Sequence, residues 1–323
     1  VLPGVSVYDA PAPGDPGAAG APLPPDDDGC PCAGGGGEGG GGTGCGALLI
    51  PEDPVCSDLR SRHPGGASRR VARSREVFLA SHPDEPSGVA FCTALTPQTA
   101  AIYGRIADAL FAKPYRLGWG RDPARFLDEE TDALAAQRAA CAPLPFLYIP
   151  ERFSRRGRGI SPGEVETLEW AAIAAGAKGL RRHFAFNPGG ASPDLAAALG
   201  RTAAAVRRLQ PLLAPLLPVS DETQGDEASG YVRVLTAWAG PDGALFHVRD
   251  RSAGAYPDGP PLRRGVTVLI DIPPWFRAGR LRDPLTGETV AEVRPGRLAV
   301  NLPELRGFRL LWADADPSRP LVP

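Results

Sequence analysis

The chain has 323 residues, with 35 Lys and Arg against 37 Asp and Glu, a net charge of −2 and 43% hydrophobic side chains. This charge balance excludes a protein that coats nucleic acid through clustered excess cations, and no apolar run approaches the roughly 18 residues of a membrane span. The hydrophobic share suffices for one large domain, or for one large and one small domain. Because the sequence contains no Met, we expect it to be a piece of a longer product or a processed one.

Gly, Pro and Asp dominate residues 1–46. Such a stretch buries too little apolar surface to offset its ordering entropy, so we expect a mostly flexible segment. Within this segment, the short run 5–8 is typical of a strand, and we expect it to be the third strand of a parallel sheet. Four cysteines (Cys30, Cys32, Cys45 and Cys56) leave a disulfide or zinc cluster open. Their spacing lacks the paired ligands of structural zinc sites, so we expect no metal and no cofactor.

Apolar runs alternate with helical patterns from residue 47 to 217. The runs occupy 47–50, 88–94, 106–112, 145–149 and 179–186. Four helix starts carry an N-cap residue before a proline at the first helical position: Thr96-Pro97, Asp122-Pro123, Ser161-Pro162 and Ser192-Pro193. Ser161 and Glu164 also form a capping-box pattern. The segments 126–140, 165–175 and 195–213 are typical of helices, and Gly176 is a stop signal.

Near-continuous apolar strands indicate burial on both faces, which occurs in parallel sheets covered by helices. Strand and capped helix in repeated alternation therefore predict an α/β domain over 47–217. From residue 231 onward the apolar period changes to two, with turn signals between the runs. This pattern predicts a small antiparallel β-sandwich over 231–323, joined to the α/β part by a polar linker at 218–230. We expect Asp250, Arg251 and Glu288 at solvated faces of this sandwich.

Two stretches of the sequence resemble the end of a glycosidase-type TIM barrel: LPFLYIPERF at 144–153 and GEVETLEWAAIAAGAKGL at 163–180. The turn GAKG is the most specific of these motifs. The C-terminal module, with DPLTGE at 283–288, resembles the small β-sandwich that many such enzymes carry after the barrel. The resemblance covers roughly 47–315 and implies a partial (β/α)8 TIM-type barrel, strands four to eight, followed by an all-β sandwich.

The resemblance also implies a catalytic pair. In the retaining glycosidases the acid/base carboxylate follows strand four and the nucleophile follows strand seven, and Glu52 and Glu151 occupy these places here. The chemistry needs one carboxylate to attack the anomeric carbon and another to protonate the leaving oxygen. Alternatively, Glu52 belongs to a solvated turn with Asp53, and Glu151 forms a surface ion pair with Arg152.

Several other residues are candidates for substrate binding. Tyr115 and Trp119 follow the sixth strand and would form a wall for sugar stacking, or rim packing. His183 would hydrogen-bond a sugar hydroxyl, or would be a satisfied core histidine. Asp53 and Arg152, next to the two glutamates, are the remaining predicted substrate-binding residues. Lys113 departs from the family pattern, because an Asp often stands at this place before Pro-Tyr.

Three functions are consistent with this sequence. The first is a retaining glycoside hydrolase that acts on an oligo- or polysaccharide. The second is a non-catalytic carbohydrate-binding or structural relative, since strands one to three are absent or degraded and Lys113 departs from the pattern. The third is a phosphate-using barrel with an anion nest in the Asn-Pro-Gly-Gly stretch at 187–190. The expected partner is a carbohydrate, with no nucleic acid and no membrane span.

Overall fold

A parallel sheet flanked by helices forms the first part of the chain. The computed structural model describes residues 6–9, 47–48, 66–84, 86–91, 96–114, 123–150, 159–182, 192–226, 230–240, 243–252, 254–277 and 279–314. The strands of this sheet are β1 (Ser6–Asp9), β2 (Ala47–Leu48), β3 (Ser87–Phe91), β4 (Ala109–Ala112), β5 (Phe146–Tyr148) and β6 (Gly179–Arg182). The helices are α1 (Gly66–Ser81), α2 (Pro97–Tyr103), α3 (Phe126–Cys141), α4 (Pro162–Ala174) and α5 (Pro193–Leu213).

All pairings in this sheet are parallel, and the strand order is β1-β6-β5-β4-β3-β2. The structure thus confirms the predicted partial barrel-type α/β fold. The place of β1 differs from the prediction. A third strand would lie beside β2, whereas Ser6 to Asp9 pair with Gly179 to Arg182 of β6. This is the neighbour that a first barrel strand has when the barrel closes on its last strand.

Three of the predicted helix caps are present as side-chain hydrogen bonds. The Thr96, Ser161 and Ser192 hydroxyls accept from the backbone N–H three residues on, and each is followed by a proline at the first helical position. Ser161 and Glu164 form the expected capping box. Asp122 lies outside the described residues. Gly176 adopts a φ of +98° just after α4, which a residue with a side chain rarely adopts, and so ends that helix as predicted.

Helix α1 is not among the helices predicted from the sequence. Of its 16 residues only Ala67 and Val71 are buried, so the apolar period that marks a helix is almost absent. Among the described residues, no helix combines the length and apolar character needed to cross a membrane.

Antiparallel strands form the second part of the chain. One sheet has the order β12-β11-β14-β9-β8-β7 and the other consists of β10 and β13. Their bounds are β7 (Leu217–Asp226), β8 (Gly230–Trp238), β9 (Gly243–Asp250), β10 (Leu262–Ile272), β11 (Gly279–Arg282), β12 (Thr289–Val293), β13 (Gly296–Arg306) and β14 (Phe308–Asp314). A separate hydrophobic core fills the space between the two sheets, with Val234, Val268 and Val300 among its buried members. The predicted β-sandwich is confirmed.

Two predictions for this part are wrong. The linker predicted at 218–230 is mostly strand β7, which pairs with β8 along its length. Its polar residues suit an edge strand, because such a strand is solvated on one side and needs no apolar period. Asp250, expected at a solvated face, is fully buried, because β9 is buried on both faces: one faces the sandwich core and the other the barrel helices. Glu288 is exposed as predicted.

The face of the parallel sheet turned away from the helices is tightly packed. A Cβ built on Gly88 of β3 would stand 2.1 Å from Cε2 of Phe111 and 3.3 Å from the carbonyl oxygen of Ala109. Phe111 is itself 4% exposed, so its ring has little room to move. The close approach of β3 and β4 side chains on this face therefore depends on glycine.

We expect Gly88→Ala to lower the free energy of unfolding by about 2 kcal/mol or more, because the ring of Phe111 must be displaced. Gly200→Ala is the matched control. Gly200 lies in α5 with nothing within 4 Å of its added Cβ, so this change should stabilise by about 0.5–1 kcal/mol. Urea unfolding of both variants is the measurement. Equal effects of the two changes would contradict this account.

Candidate functional site

The residues that the sequence predicts for the site all lie outside the described part of the chain. They are Glu52, Asp53, Tyr115, Trp119, Glu151, Arg152 and His183. The Asn-Pro-Gly-Gly stretch at 187–190 lies outside it as well. What the structure does describe is the edge of the parallel sheet from which several of these residues continue, and the seam between the barrel helices and the sandwich.

Side chains of the parallel strands alternate between two faces. Phe91, Leu110, Ala112, Phe146 and Tyr148 belong to the hydrophobic cluster that the helices share. The alternate residues, Ala90, Ala109, Phe111, Leu147 and Ile149, are buried outside that cluster. They therefore line the opposite face, which is the interior face of a barrel-type sheet.

Lys113 lies on this interior face, at the carboxyl end of β4. Its N–H donates to the Phe91 carbonyl oxygen at 3.0 Å, and the Ile149 N–H donates to the Ala112 carbonyl oxygen at 2.8 Å, so the ladder extends one residue beyond β4. By strand alternation Lys113 follows Ala109 and Phe111. The residue is 2% exposed. The structure thus places a buried lysine at the carboxyl edge of the sheet, where parallel α/β folds carry their sites.

The GAKG turn, the most specific motif of the resemblance, has a structural role at the opposite edge. Lys178 Nζ donates to the carbonyl oxygens of Ala214 at 3.0 Å and Leu216 at 2.5 Å, just after α5. A lysine at this position satisfies carbonyl groups that the helix end leaves without partners. Burial lowers the pKa of Lys178, and the charge of Arg138 lowers it further. The motif therefore marks fold stability rather than catalysis.

Asp128, in the first turn of α3, gathers the arginines of the sandwich. Arg249 donates to its carboxylate, Arg251 Nη2 donates to Oδ2 at 3.2 Å, and Arg233 Nη1 lies 3.9 Å from Oδ1. Asp128 and Arg249 are buried, and burial lowers the pKa of Arg249 to about 10. Arg249 is thus still protonated at neutral pH, and the buried pair is ionic.

Arg233 is held by a second set of carboxylates. Its Nε donates to Asp221 Oδ1 at 2.7 Å, and its Nη2 lies 2.7 Å from Asp132 Oδ1. Burial alone would lower the pKa of Arg233, but the hydrogen bonds and charges of Asp221 and Asp132 raise it overall. Arg233 and its partners therefore link strands β7 and β8 to α3 by charge.

The capping box of α4 also docks the sandwich. Glu164 Oε2 accepts from the Ser161 N–H, and Oε1 accepts from the Tyr256 N–H, both at 2.9 Å. Ser161 Oγ donates to the Tyr256 carbonyl oxygen at 3.1 Å. Tyr256 and Thr167 share a further hydroxyl contact. The sandwich is thus bound at two helix N-termini, those of α3 and α4.

His247 of β9 is buried in the same seam. Its ring stacks on Phe308 with centroids 5.4 Å apart, and neither ring nitrogen has a partner with hydrogen-bond geometry. Burial and, to a smaller degree, the charge of Arg233 lower the pKa of His247, Thr167 and Asp221 oppose the change, and the resulting pKa is about 3. The ring is therefore neutral at neutral pH and costly to protonate in the folded state.

A barrel-type α/β sheet followed by a β-sandwich packed on its helices is the architecture of glycoside hydrolases, and the chain has this fold. It is similar in structure to alpha-L-fucosidase isoenzyme 2 from Paenibacillus thiaminolyticus, with a TM-score of 0.56 at 8% identity, over 84% of this chain and 77% of that chain. No family model and no curated protein matches the sequence.

Two alpha-amylases are similar at lower TM-scores. The Anoxybacillus enzyme has a TM-score of 0.46 at 11% identity, over 76% of this chain and 56% of that chain. The Geobacillus thermoleovorans enzyme, solved with acarbose, has a TM-score of 0.46 at 10% identity, over 76% of this chain and 57% of that chain. The chain therefore spans less than two thirds of the length of these amylases.

We expect Asp128→Asn to destabilise the folded chain by about 3 kcal/mol, because it leaves the buried Arg249 without its counter-charge. Asp271→Asn is the control. Asp271 is exposed and lies 3.7 Å from Arg297, so its loss should cost at most about 0.5 kcal/mol. The measurement is urea unfolding at pH 7. A loss for Asp128→Asn no larger than that of the control would refute the buried ionic role.

His247→Leu should reduce the sensitivity of the fold to acid. The unfolded histidine titrates near pH 6.5 and the folded one near 3, so its contribution is complete above pH 6.5 and is lost as the pH falls toward 3. Between pH 6.5 and 4.5 the wild type should lose roughly 2–3 kcal/mol more than the variant. Urea unfolding at both pH values tests this, and parallel losses in the two proteins would contradict it.

Proposed function

We propose that the chain is a glycoside hydrolase, or part of one, that cleaves an oligo- or polysaccharide with retention of configuration, using Glu52 and Glu151. The observation that carries the proposal is the position of both residues after carboxyl ends of one parallel sheet. Glu151 follows Pro150, directly after the last ladder bond of β5, and Glu52 comes four residues after β2. In parallel α/β folds the loops at this edge carry the chemistry.

The proposal makes a geometric demand on the sheet. Strands β2 and β5 are separated by β3 and β4, so their ends would be about 14 Å apart in a flat sheet. Retaining chemistry needs the two carboxyl groups about 5–5.5 Å apart. Only a sheet that curls as a barrel wall does, with side chains converging over its interior, meets this demand. The similarity in fold to an alpha-L-fucosidase supports such curling.

The two glutamates have different roles in the proposed mechanism. The carboxylate of Glu151 attacks the anomeric carbon while the bond to the leaving oxygen breaks, and Glu52 donates its proton to that oxygen. Water then hydrolyses the glycosyl-enzyme. Glu52 accepts a proton from the water, the water oxygen bonds to the anomeric carbon, and the bond from that carbon to Glu151 breaks. Tyr115, Trp119, Asp53, Arg152 and His183 are the proposed sugar contacts.

A non-catalytic carbohydrate-binding or structural relative is the second candidate function. The observation in its favour is Lys113, a buried lysine on the interior face at the carboxyl edge, where the family pattern often has an Asp. Within the described ranges, β1 and β2 are also the two ends of the strand order, with no pairing between them. A sheet open at this place would not bring Glu52 and Glu151 together.

We expect Glu151→Gln to reduce kcat on an aryl glycoside panel by about a thousandfold, because the amide is a poor nucleophile. Glu52→Gln should lose little on substrates with an activated phenol leaving group and much more on alkyl glycosides, whose leaving oxygen needs the proton. The control is Glu292→Gln, an exposed residue of β12, which should leave kcat unchanged.

The panel also separates the two candidate functions. Undiminished hydrolysis by Glu151→Gln would show that this residue is not the nucleophile. A wild-type chain that binds oligosaccharides without turnover above background would refute the hydrolase and support the non-catalytic relative. Unfolding by urea in all variants checks that each change leaves the fold intact.

A further inference from the structure

A polar groove of 440 Å3 opens at the seam between α3 and the sandwich. Its walls include Arg125, Tyr231, Thr223, Arg251 and Ser252. The volume falls within the range of about 300–1,000 Å3 that is typical of small-molecule sites. Within the described residues, this groove lies apart from the interior face of the parallel sheet, and its lining includes none of the predicted site residues.

The charged residues that line the groove are Arg125, Arg251 and Asp128. Arg251 is oriented by Asp128 and by Thr223, whose Oγ1 accepts from Nη1 at 2.6 Å, so Nη1 and Nη2 each keep one N–H for a ligand. Arg125 is exposed and makes no hydrogen bond or salt bridge with any described residue. It is close enough to Arg251 for its charge to disfavour the protonated form of that residue.

The surroundings do not neutralise this pair. Around the seam, five guanidinium groups outnumber four carboxylates among the described residues: those of Arg125, Arg233, Arg249, Arg251 and Arg263 against those of Asp128, Asp132, Asp221 and Asp250. Arg251 is pre-oriented, and Arg125 has no counter-charge within the described part of the chain, so the two arginines favour an anion that accepts from both.

The remaining walls suit a sugar ring better than a bare ion. Tyr231 is 39% exposed and offers an aromatic surface, on which an apolar ring face can pack. Thr223 and Ser252 add hydroxyl groups, which exchange hydrogen bonds with other hydroxyls in either direction. An anion alone would use the arginines and leave this surface unused.

We propose that the groove binds an acidic sugar, with the carboxylate on Arg125 and Arg251 and the ring against Tyr231. The choice of a sugar as the carrier of the carboxylate rests on the proposed function, whereas the anion preference rests on the groove alone. The site would hold an acidic unit of a bound glycan beside the barrel, without a part in bond cleavage.

The test is a calorimetric titration of the full chain with D-glucuronate at low ionic strength, with D-glucose and sulfate as separate ligands. Glucuronate should bind more tightly than either. Arg125→Gln should weaken its binding roughly tenfold through the lost charge-assisted hydrogen bond, and Tyr231→Ala should weaken it roughly fivefold. Arg280→Gln, another exposed arginine, is the control and should bind as the wild type does.

An affinity for glucuronate that is unchanged in Arg125→Gln, or no binding by the wild type, would overturn the proposal. Sulfate binding as tight as glucuronate binding, with no effect of Tyr231→Ala, would overturn its sugar part. These results are independent of hydrolysis: glucuronate binding by a chain without turnover would leave the groove standing and refute only the hydrolase.

Discussion

The carboxylate of Asp128 is the constraint on which the arrangement of the two parts depends. Arg233 and Arg249 stand directly opposite each other on β8 and β9, with side chains toward the helices. Like charges in such a pair repel, and their burial would be costly without an anion between them. Asp128 supplies that anion from the first turn of α3, where the helix dipole also favours negative charge. In the observed position of the sheet that contains β8 and β9, this carboxylate therefore contacts both arginines.

Two features follow from that position. Tyr256 reaches the N-terminus of α4, so the Ser161–Glu164 capping box satisfies the helix end and the sandwich loop together. Arg251 also pairs with Asp128, and both residues line the groove, which lies beside α3 and Tyr231 of β8. The same ionic cluster thus stabilises the contact between the two parts and forms one wall of the charged groove. Arg125 is not a member of this cluster, so its substitution should change ligand affinity without changing the free energy of unfolding.

Local chemistry made most elements predictable from the sequence. Caps at Thr96, Ser161 and Ser192 and apolar runs without alternation identify helices and buried parallel strands, because both signals depend on neighbours in the chain. Helix α1 was missed because its local apolar period is weak, whereas the other errors depend on distant residues. Strand β7 is polar because it lies at an edge. Asp250 lies on a strand that is buried on both faces, where Arg263 pairs with it at 3.1 Å. The three arginines around Asp128 are more than 100 positions from it in the chain, so no local sequence pattern predicts this cluster. The catalytic pair was expected from a resemblance, and it lies in loops beyond the described residues.

Lys113 connects the described fold to that expected chemistry. The side chain of Lys113 is 2% exposed, so solvent would screen a charge on it only weakly. On one side of β4 lies β5, and Glu151 follows β5 two residues beyond Ile149, the ladder neighbour of Lys113. A carboxylate beside a lysine stays ionised, which is the state a nucleophile requires, whereas an acid must keep its proton. Lys113 therefore bears on both proposed functions: as a departure from the family pattern it favours the non-catalytic relative, whereas a positive charge at this edge would suit the ionised nucleophile that the hydrolase proposal assigns to the glutamate after β5.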